Sequence, residues 1–168
     1  MTELITFIGY NNSGKSTSAS RLSKMLKDKG YTCVVRSFAT PLKELASIYC
    51  NYQESNKIKQ RPILEKMAFD IKKIFGITVF GYTLLDSIQH LDVDYVIIDD
   101  MRFKEEYNVI SEFFTTYVIK TPQPELVSES DDIRLSELLW YLDCNSIPYF
   151  EMKGFGKNVL NEFINDLK

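Results

Sequence analysis

The chain has 168 residues, 45% of them hydrophobic and 26% charged, with a net charge of −3. These values describe one ordinary globular domain large enough to bury a core, and they exclude any global electrostatic pull toward nucleic acid or an anionic membrane, leaving room only for a local basic patch. Cys33, Cys50 and Cys144 form no Cys-x-x-Cys pair and His90 is the single histidine, so neither a zinc site nor a disulfide framework is expected.

The cysteines are read as reduced, mostly buried thiols of a cytoplasmic protein. Residues 1–9 run straight into a strand pattern, with an acid at Glu3 and no basic start, which is unlike a signal peptide. No apolar run approaches the roughly 20 residues that span a bilayer.

In chain order, 4–8 is a short apolar run ending at Gly9 and is read as a buried strand. A helix is predicted over 15–29, with Ala19, Leu22, Met25 and Leu26 on one face and Gly30 as its stop. A β-branched strand follows over 32–38, then a helix over 41–50 with proline in its first turn. Residues 51–60 are polar and read as a loop, and 61–75 and 83–90 as helices, His90 being a helix-end residue. The third strand is 95–98, closed by Asp99 and Asp100, and is followed by a helix over 105–114 and a strand over 117–119.

Residues 122–132 carry prolines, serines and acids with little to bury, and are read as a mobile loop that reaches 134 as a lid. A helix over 133–142, with Trp140, Leu135, Leu138, Leu139 and Leu142 assigned to the core, a strand over 147–152 and a helix over 157–167 complete the chain. Short apolar strands alternating with helices predict an α/β fold: one domain over 1–168, with a five-stranded parallel sheet covered by helices on both faces.

The segment Gly9–Tyr10–Asn11–Asn12–Ser13–Gly14–Lys15–Ser16 has the pattern G-x-x-x-x-G-K-[ST] of a P-loop NTPase. The glycines let the backbone curl so that N–H groups point at phosphate oxygens, and the helix starting at Lys15 offers its positive dipole end to the same anion. Gly9, Asn11, Asn12, Ser13, Gly14, Lys15, Ser16 and Thr17 are therefore the candidate ATP-binding residues. Lys15 is assigned to the β- and γ-phosphates and the Ser16 hydroxyl to Mg²⁺.

A P-loop metal site takes a second contact from an acid at a strand end. Asp99 follows the third apolar run directly and is the first choice; Asp100 faces the other way and is a candidate for touching the acceptor. A structural reading stands beside both, as a helix cap or a solvated turn. Arg102 suits a phosphate clamp, because its planar fork matches phosphate oxygens.

Absences narrow the class. There is no Asn-Lys-x-Asp motif, since 56–59 fails at its last position, and Asp99–Asp100 is not the Asp-Glu pair of transport ATPases. A P-loop, a strand-end acid, an Asp-x-Arg and a late polar loop suit a kinase of small molecules with a lid that excludes water.

Four stretches carry a family likeness: the P-loop; Ser37–Phe38–Ala39–Thr40–Pro41–Leu42–Lys43–Glu44; Ile98–Asp99–Asp100–Met101–Arg102–Phe103–Lys104–Glu105–Glu106; and Arg134–Leu135–Ser136–Glu137. On them the chain resembles the phage-type deoxynucleoside monophosphate kinases, within the wider nucleoside monophosphate kinase group. It departs from that family's pattern at Thr40 (an aspartate there), Lys104 (a proline) and Arg134 (a histidine), and its lid is acidic where adenylate kinase lids are rich in arginine.

The resemblance implies transfer of the γ-phosphoryl of ATP to a deoxynucleoside monophosphate, with Mg²⁺, in the cytoplasm (the host's for a phage protein). It implies catalytic roles for Lys15, Arg102, Arg134 and Asp100, and magnesium held by Ser16 and Asp99. Arg61, Arg102, Arg36, Phe38 and Lys43 become acceptor-side residues, with 51–90 as the acceptor-binding helical region. Tyr10 is a candidate to flank a base, and a homodimer is compatible with this reading. Two alternatives stand beside it. One is a kinase of a modified base in DNA, or of another hydroxyl, for which Asp100 becomes the base and the basic stretch 57–73 a guide for DNA. The other is a nucleotide-binding module without transferase activity.

Overall fold

A computed structural model describes residues 2–125, 127 and 129–167, with the side chains of 54, 57, 58, 130 and 131 left aside. The elements are β1 (Glu3–Ile8), α1 (Lys15–Asp28), β2 (Cys33–Arg36), α2 (Thr40–Cys50), a 3-10 turn (Glu54–Asn56), α3 (Lys57–Phe75), α4 (Val79–Ile88), β3 (Tyr95–Ile98), α5 (Lys104–Ser111), β4 (Thr116–Lys120), α6 (Glu129–Cys144), β5 (Tyr149–Glu151) and α7 (Lys157–Asp166).

The five strands form one parallel sheet in the order β2-β3-β1-β4-β5. Strand alternation assigns each face its helices. Leu4 and Ile8 of β1, Val96 and Ile98 of β3 and Val118 of β4 face a core built with Leu84 and Ile88 of α4, Ile110 of α5 and Leu135, Leu138 and Leu142 of α6. Ile5, Phe7, Ile97 and Ile119 face the opposite core, with Ala19, Leu22 and Leu26 of α1 and Leu160, Phe163 and Ile164 of α7. Strands buried on both faces are why their sequences are unbroken apolar runs.

The order sets the site. β1 is central, β3 lies on one side and β4 on the other, so the turns after all three strands share one edge of the sheet. In open parallel sheets that carboxyl edge is where ligands bind. Thr6 of β1 pairs with Ile98 of β3 and with Val118 of β4, which puts Gly9 level with Thr121 and Asp99 two residues nearer the sheet, level with Phe7.

Several sequence expectations need correction. α3 begins at Lys57, inside the stretch predicted as loop, and runs through Pro62. Pro62 is the sixth residue of α3, past the first turn, where it removes one backbone hydrogen bond and crowds the turn before it. α6 begins at Glu129, so the predicted loop ends before it; Glu129 and Asp132 in its first turn suit the positive helix end. Residues 126 and 128 of that loop lie outside the described residues.

Trp140 is 66% exposed, while Leu135, Leu138 and Leu142 are buried. Two residues beyond Leu138 is about 200° around a helix, so the tryptophan points away from the leucine stripe. Cys33 is buried, but Cys50 and Cys144 are exposed, which corrects the expectation of mostly buried thiols; all three are free. No described helix is long and apolar enough to cross a membrane.

Candidate functional site

The loop between β1 and α1 is held in its curled form by backbone conformation and by neighbours. Gly9 has φ +145°, and a Cβ there would lie 2.1 Å from Thr121 Oγ1. Asn12 takes a left-handed φ of +59°, a region that asparagine tolerates better than most residues. Gly14, also left-handed at φ +75°, caps α1, and a Cβ on it would meet the Phe155 ring at 2.8 Å. Arg21 donates to the Phe155 carbonyl and so ties the β5–α7 turn to α1.

Ser13 is pinned from the side. Its hydroxyl shares a 2.6 Å hydrogen bond with Thr121 Oγ1 in the buried interior, and Thr121 also contacts the Ile8 carbonyl through both its hydroxyl and its N–H. Thr121→Val keeps the shape and removes the hydroxyl, leaving Ser13 buried without that partner. The expected loss of stability is about 1–2 kcal/mol, read as a lower urea midpoint with an unchanged slope; Thr121→Ser should stay close to wild type.

Lys15 is nearly buried, and its ammonium donates to the carbonyls of Gly9, at 2.9 Å, and Tyr10. It therefore lies folded over its own loop, within reach of any anion the loop's N–H groups enclose. Ser16 and Thr17 are exposed in the first turn of α1. The Ser16 hydroxyl donates to Asp99. Burial is the main cause pushing the Asp99 carboxyl above its ordinary value; the Ser16 bond opposes this, the neighbouring Asp100 adds to it, and Lys43 opposes it.

A hydroxyl and a carboxylate in contact are hard oxygen donors and fit magnesium, which takes few protein ligands and completes its shell with water and phosphate. No group of three or more His, Cys, Asp or Glu side chains able to hold a metal occurs among the described residues.

Asp100 is engaged differently. Its oxygens accept from the Ser37 hydroxyl at 2.5 Å and from the N–H groups of Phe38 at 2.8 Å and Ala39 at 3.0 Å. The carboxylate thus organises the turn that starts α2, an arrangement that suits a structural anchor more than a proton acceptor. Phe38, expected beside the acceptor, has its ring in the core at 4% exposure; alternation after β2 turns it inward. Arg36 ends β2 and donates to the Val35 carbonyl.

Arg102 and Arg134 meet at the phosphate loop. A small cavity is lined by Gly9, Asn11, Met101, Arg102, Arg134 and Leu135. Arg102 comes from the turn after β3 and Arg134 from the first turns of α6, so the sheet order brings them together across 32 residues. Arg61 is not among the cavity-lining residues; it pairs with Glu65 one helical turn on, at 2.9 Å, on an exposed face of α3.

Three residues that the sequence reading passed over support this corner. Glu106 is buried, and one of its oxygens accepts from the N–H groups of Arg102, at 2.9 Å, and Phe103, at 3.1 Å. Burial raises its carboxyl to about 7, against the pull of those two bonds and of Lys72, while Asp100 adds to the rise. The Lys72 ammonium sits 3.6 Å from the centre of the Phe103 ring, and the Arg134 guanidinium 5.9 Å from it. Burial lowers the Lys72 pKa, with Glu106 and Glu105 opposing. Glu three residues after a helix cap is half of a capping box, a signal present at Phe103–Glu106 but masked because phenylalanine has no side-chain acceptor. Lys72 belongs to the basic stretch 57–73, to which the sequence assigned only the guiding of DNA under the alternative reading.

No protein-family model and no curated protein matches the sequence. Among solved structures, a thymidylate kinase from Ehrlichia chaffeensis superposes with a TM-score of 0.63 at 13% identity, over 99% of this chain and 98% of that one. The chain has the P-loop kinase fold. An APS kinase from Mycobacterium tuberculosis, solved with AMPPNP and APS, superposes with a TM-score of 0.50 at 11% identity, over 99% of this chain and 97% of that one. Both superpositions extend over nearly the full length of the given chain.

Proposed function

We propose that the protein is an ATP-dependent kinase that transfers the γ-phosphoryl group to a nucleoside or deoxynucleoside monophosphate. The observation that carries this reading is the cavity in which Arg102 and Arg134 converge on Gly9 and Asn11 of the phosphate loop. Phosphoryl transfer asks for positioning and charge stabilisation, and two guanidiniums against a phosphate loop supply both. Lys15 and the loop N–H groups hold the donor. Ser16 and Asp99 hold Mg²⁺, which on binding neutralises phosphate charge.

A phosphate acceptor is favoured over a hydroxyl. A hydroxyl must lose its proton to a base, and Asp100, the carboxylate assigned that role, already accepts three hydrogen bonds from 37–39. A nucleotide phosphate is an anion and needs no base. The likeness to a thymidylate kinase and to an APS kinase supports a nucleotide-directed kinase and is neutral between a phosphate and a hydroxyl acceptor. Arg61 and Lys43 are kept as acceptor-side residues on the sequence resemblance, with Arg61 released from Glu65 when acceptor binds. ATP and the monophosphate are the partners; a homodimer is compatible with the proposal and not required by it.

Incubation with Mg·ATP and each nucleoside and deoxynucleoside monophosphate should give a diphosphate from at least one of them. Arg102→Ala should lower that transfer about a hundredfold while ATP affinity stays within twofold of wild type. Absence of any diphosphate, together with labelling of DNA, would overturn the acceptor assignment.

A further inference from the structure

We infer that Tyr10 is a positioning residue: through Asp132 it sets the place of Arg134 against the phosphate loop. The inference rests on the reading of the chain as a phosphoryl-transfer enzyme only for its kinetic consequence; the contact itself stands apart from that reading.

The geometry begins with two ties between the phosphate loop and the connection from β4 to α6. At the start of that connection Thr121 holds Ser13 by a buried hydrogen bond of 2.6 Å. At its far end the Tyr10 hydroxyl donates to Asp132 Oδ1 at 3.0 Å, in the first turn of α6. The first tie is shielded and short. The second is exposed to water, which competes for both partners.

Asp132 and Leu135 lie three residues apart, on one side of the helix. Leu135 is buried in the core and lines the cavity beside Gly9 and Asn11. Fixing Asp132 to Tyr10 above and Leu135 in the core below determines the rotation of the first turn. Arg134 lies between these two points and lines the same cavity. The Tyr10 ring packs against that core as well, so its hydroxyl is presented from a seated ring and not from a free loop. Tyr10 also offers its carbonyl to Lys15. One residue therefore touches the donor-side lysine through its backbone and the arginine-bearing helix through its side chain.

The first turn of a helix has no N–H partners of its own and frays without support. Losing the Tyr10 bond leaves Arg134 in place for a smaller share of the time. Phosphate binding by the loop N–H groups and Lys15 does not depend on it. The effect belongs in kcat and not in ATP affinity.

The test compares Tyr10→Phe, Asp132→Ala, their double variant and Asp132→Asn in the whole chain, with Mg·ATP and the monophosphate that wild type accepts. Tyr10→Phe and Asp132→Ala should each lower kcat about tenfold, with the ATP dissociation constant within twofold of wild type. The double variant should be no slower than either single one. Asp132→Asn retains an acceptor oxygen and should restore most of the rate. Tyr10→Phe added to Arg134→Ala should cost nothing further. Additive losses, or a loss of ATP affinity at unchanged kcat, would overturn the inference.

Amide hydrogen exchange over 129–135 is read in parallel on the same proteins. Faster exchange in Tyr10→Phe and Asp132→Ala, with wild-type exchange in Asp132→Asn, supports the tie; equal exchange in all four overturns it. If wild type transfers phosphate to no monophosphate, the proposed function fails, and the exchange result still decides the contact.

Discussion

Replacing Lys15 by alanine is expected to lower phosphoryl transfer about a thousandfold, the scale set by loss of a preorganised charge on the transferring group. The reason is geometric. Lys15 is the first residue of α1 and is buried as a whole, with 8% of its surface exposed, so its charge acts from a partly shielded site. It already donates to the Gly9 and Tyr10 carbonyls, which places it at the mouth of the loop before any nucleotide arrives. Alanine removes the charge and leaves those carbonyls to water. The initial rate with Mg·ATP and the accepted monophosphate reads the catalytic loss, and a urea titration shows whether the fold survives. Turnover retained within tenfold would mean that the loop does not hold the transferring phosphate.

Glu106 gives the second large effect, on stability and on its pH dependence. The carboxyl is held at about 7 in the folded chain against an ordinary value of 4.5, with burial as the leading cause. A raised carboxyl pKa means that the folded state keeps a proton which the unfolded state has lost. Its contribution is fully present below pH 4.5 and is lost as pH rises to about 7. Over that window the folded chain should lose on the order of 3 kcal/mol from this group.

Glu106→Gln is neutral throughout and keeps an acceptor oxygen for Arg102 and Phe103. It should flatten the fall in stability across the same window. Glu106→Ala strands both N–H groups and should cost about 2–3 kcal/mol at pH 5, where the native carboxyl is protonated. Urea midpoints at pH 5 and pH 8 check both. A fall of the same size in Glu106→Gln and wild type would place the titrating group elsewhere. Because Glu106 anchors the backbone of Arg102, Glu106→Ala should also slow transfer, whereas Glu106→Gln should not.

The two ion pairs along α3 offer no comparable lever. Arg61–Glu65 and Lys66–Asp70 are exposed pairs one helical turn apart. Such pairs contribute a few tenths of a kcal/mol. A buried carboxylate with backbone partners is a different case, because water cannot replace what it loses.

The sequence alone determined what is local. The phosphate loop is contiguous, and its glycines, lysine and serine declare themselves by spacing. The five strands and most helices followed from apolar periodicity, because burial on both faces or along one stripe leaves its imprint on consecutive residues. The parallel sense of the strands was implied by their alternation with helices and is what the pairings show; the strand order came only from the structure.

Only the tertiary structure decided which side chain meets which. Asp99 and Asp100 are adjacent and chemically identical, yet one faces Ser16 and the other caps the turn at 37–39. Alternation at the strand end already set the two on opposite sides; that Asp100 is taken up by the turn at 37–39 depends on β2 lying beside β3. Phe38 and Trp140 changed places with expectation for the same reason: a ring's fate depends on the helix or strand laid over it. The ties from Ser13 to Thr121 and from Tyr10 to Asp132 span 108 and 122 residues. They exist because β4 pairs next to β1, and so a loop legible in eight consecutive letters takes its working shape from residues at the other end of the chain.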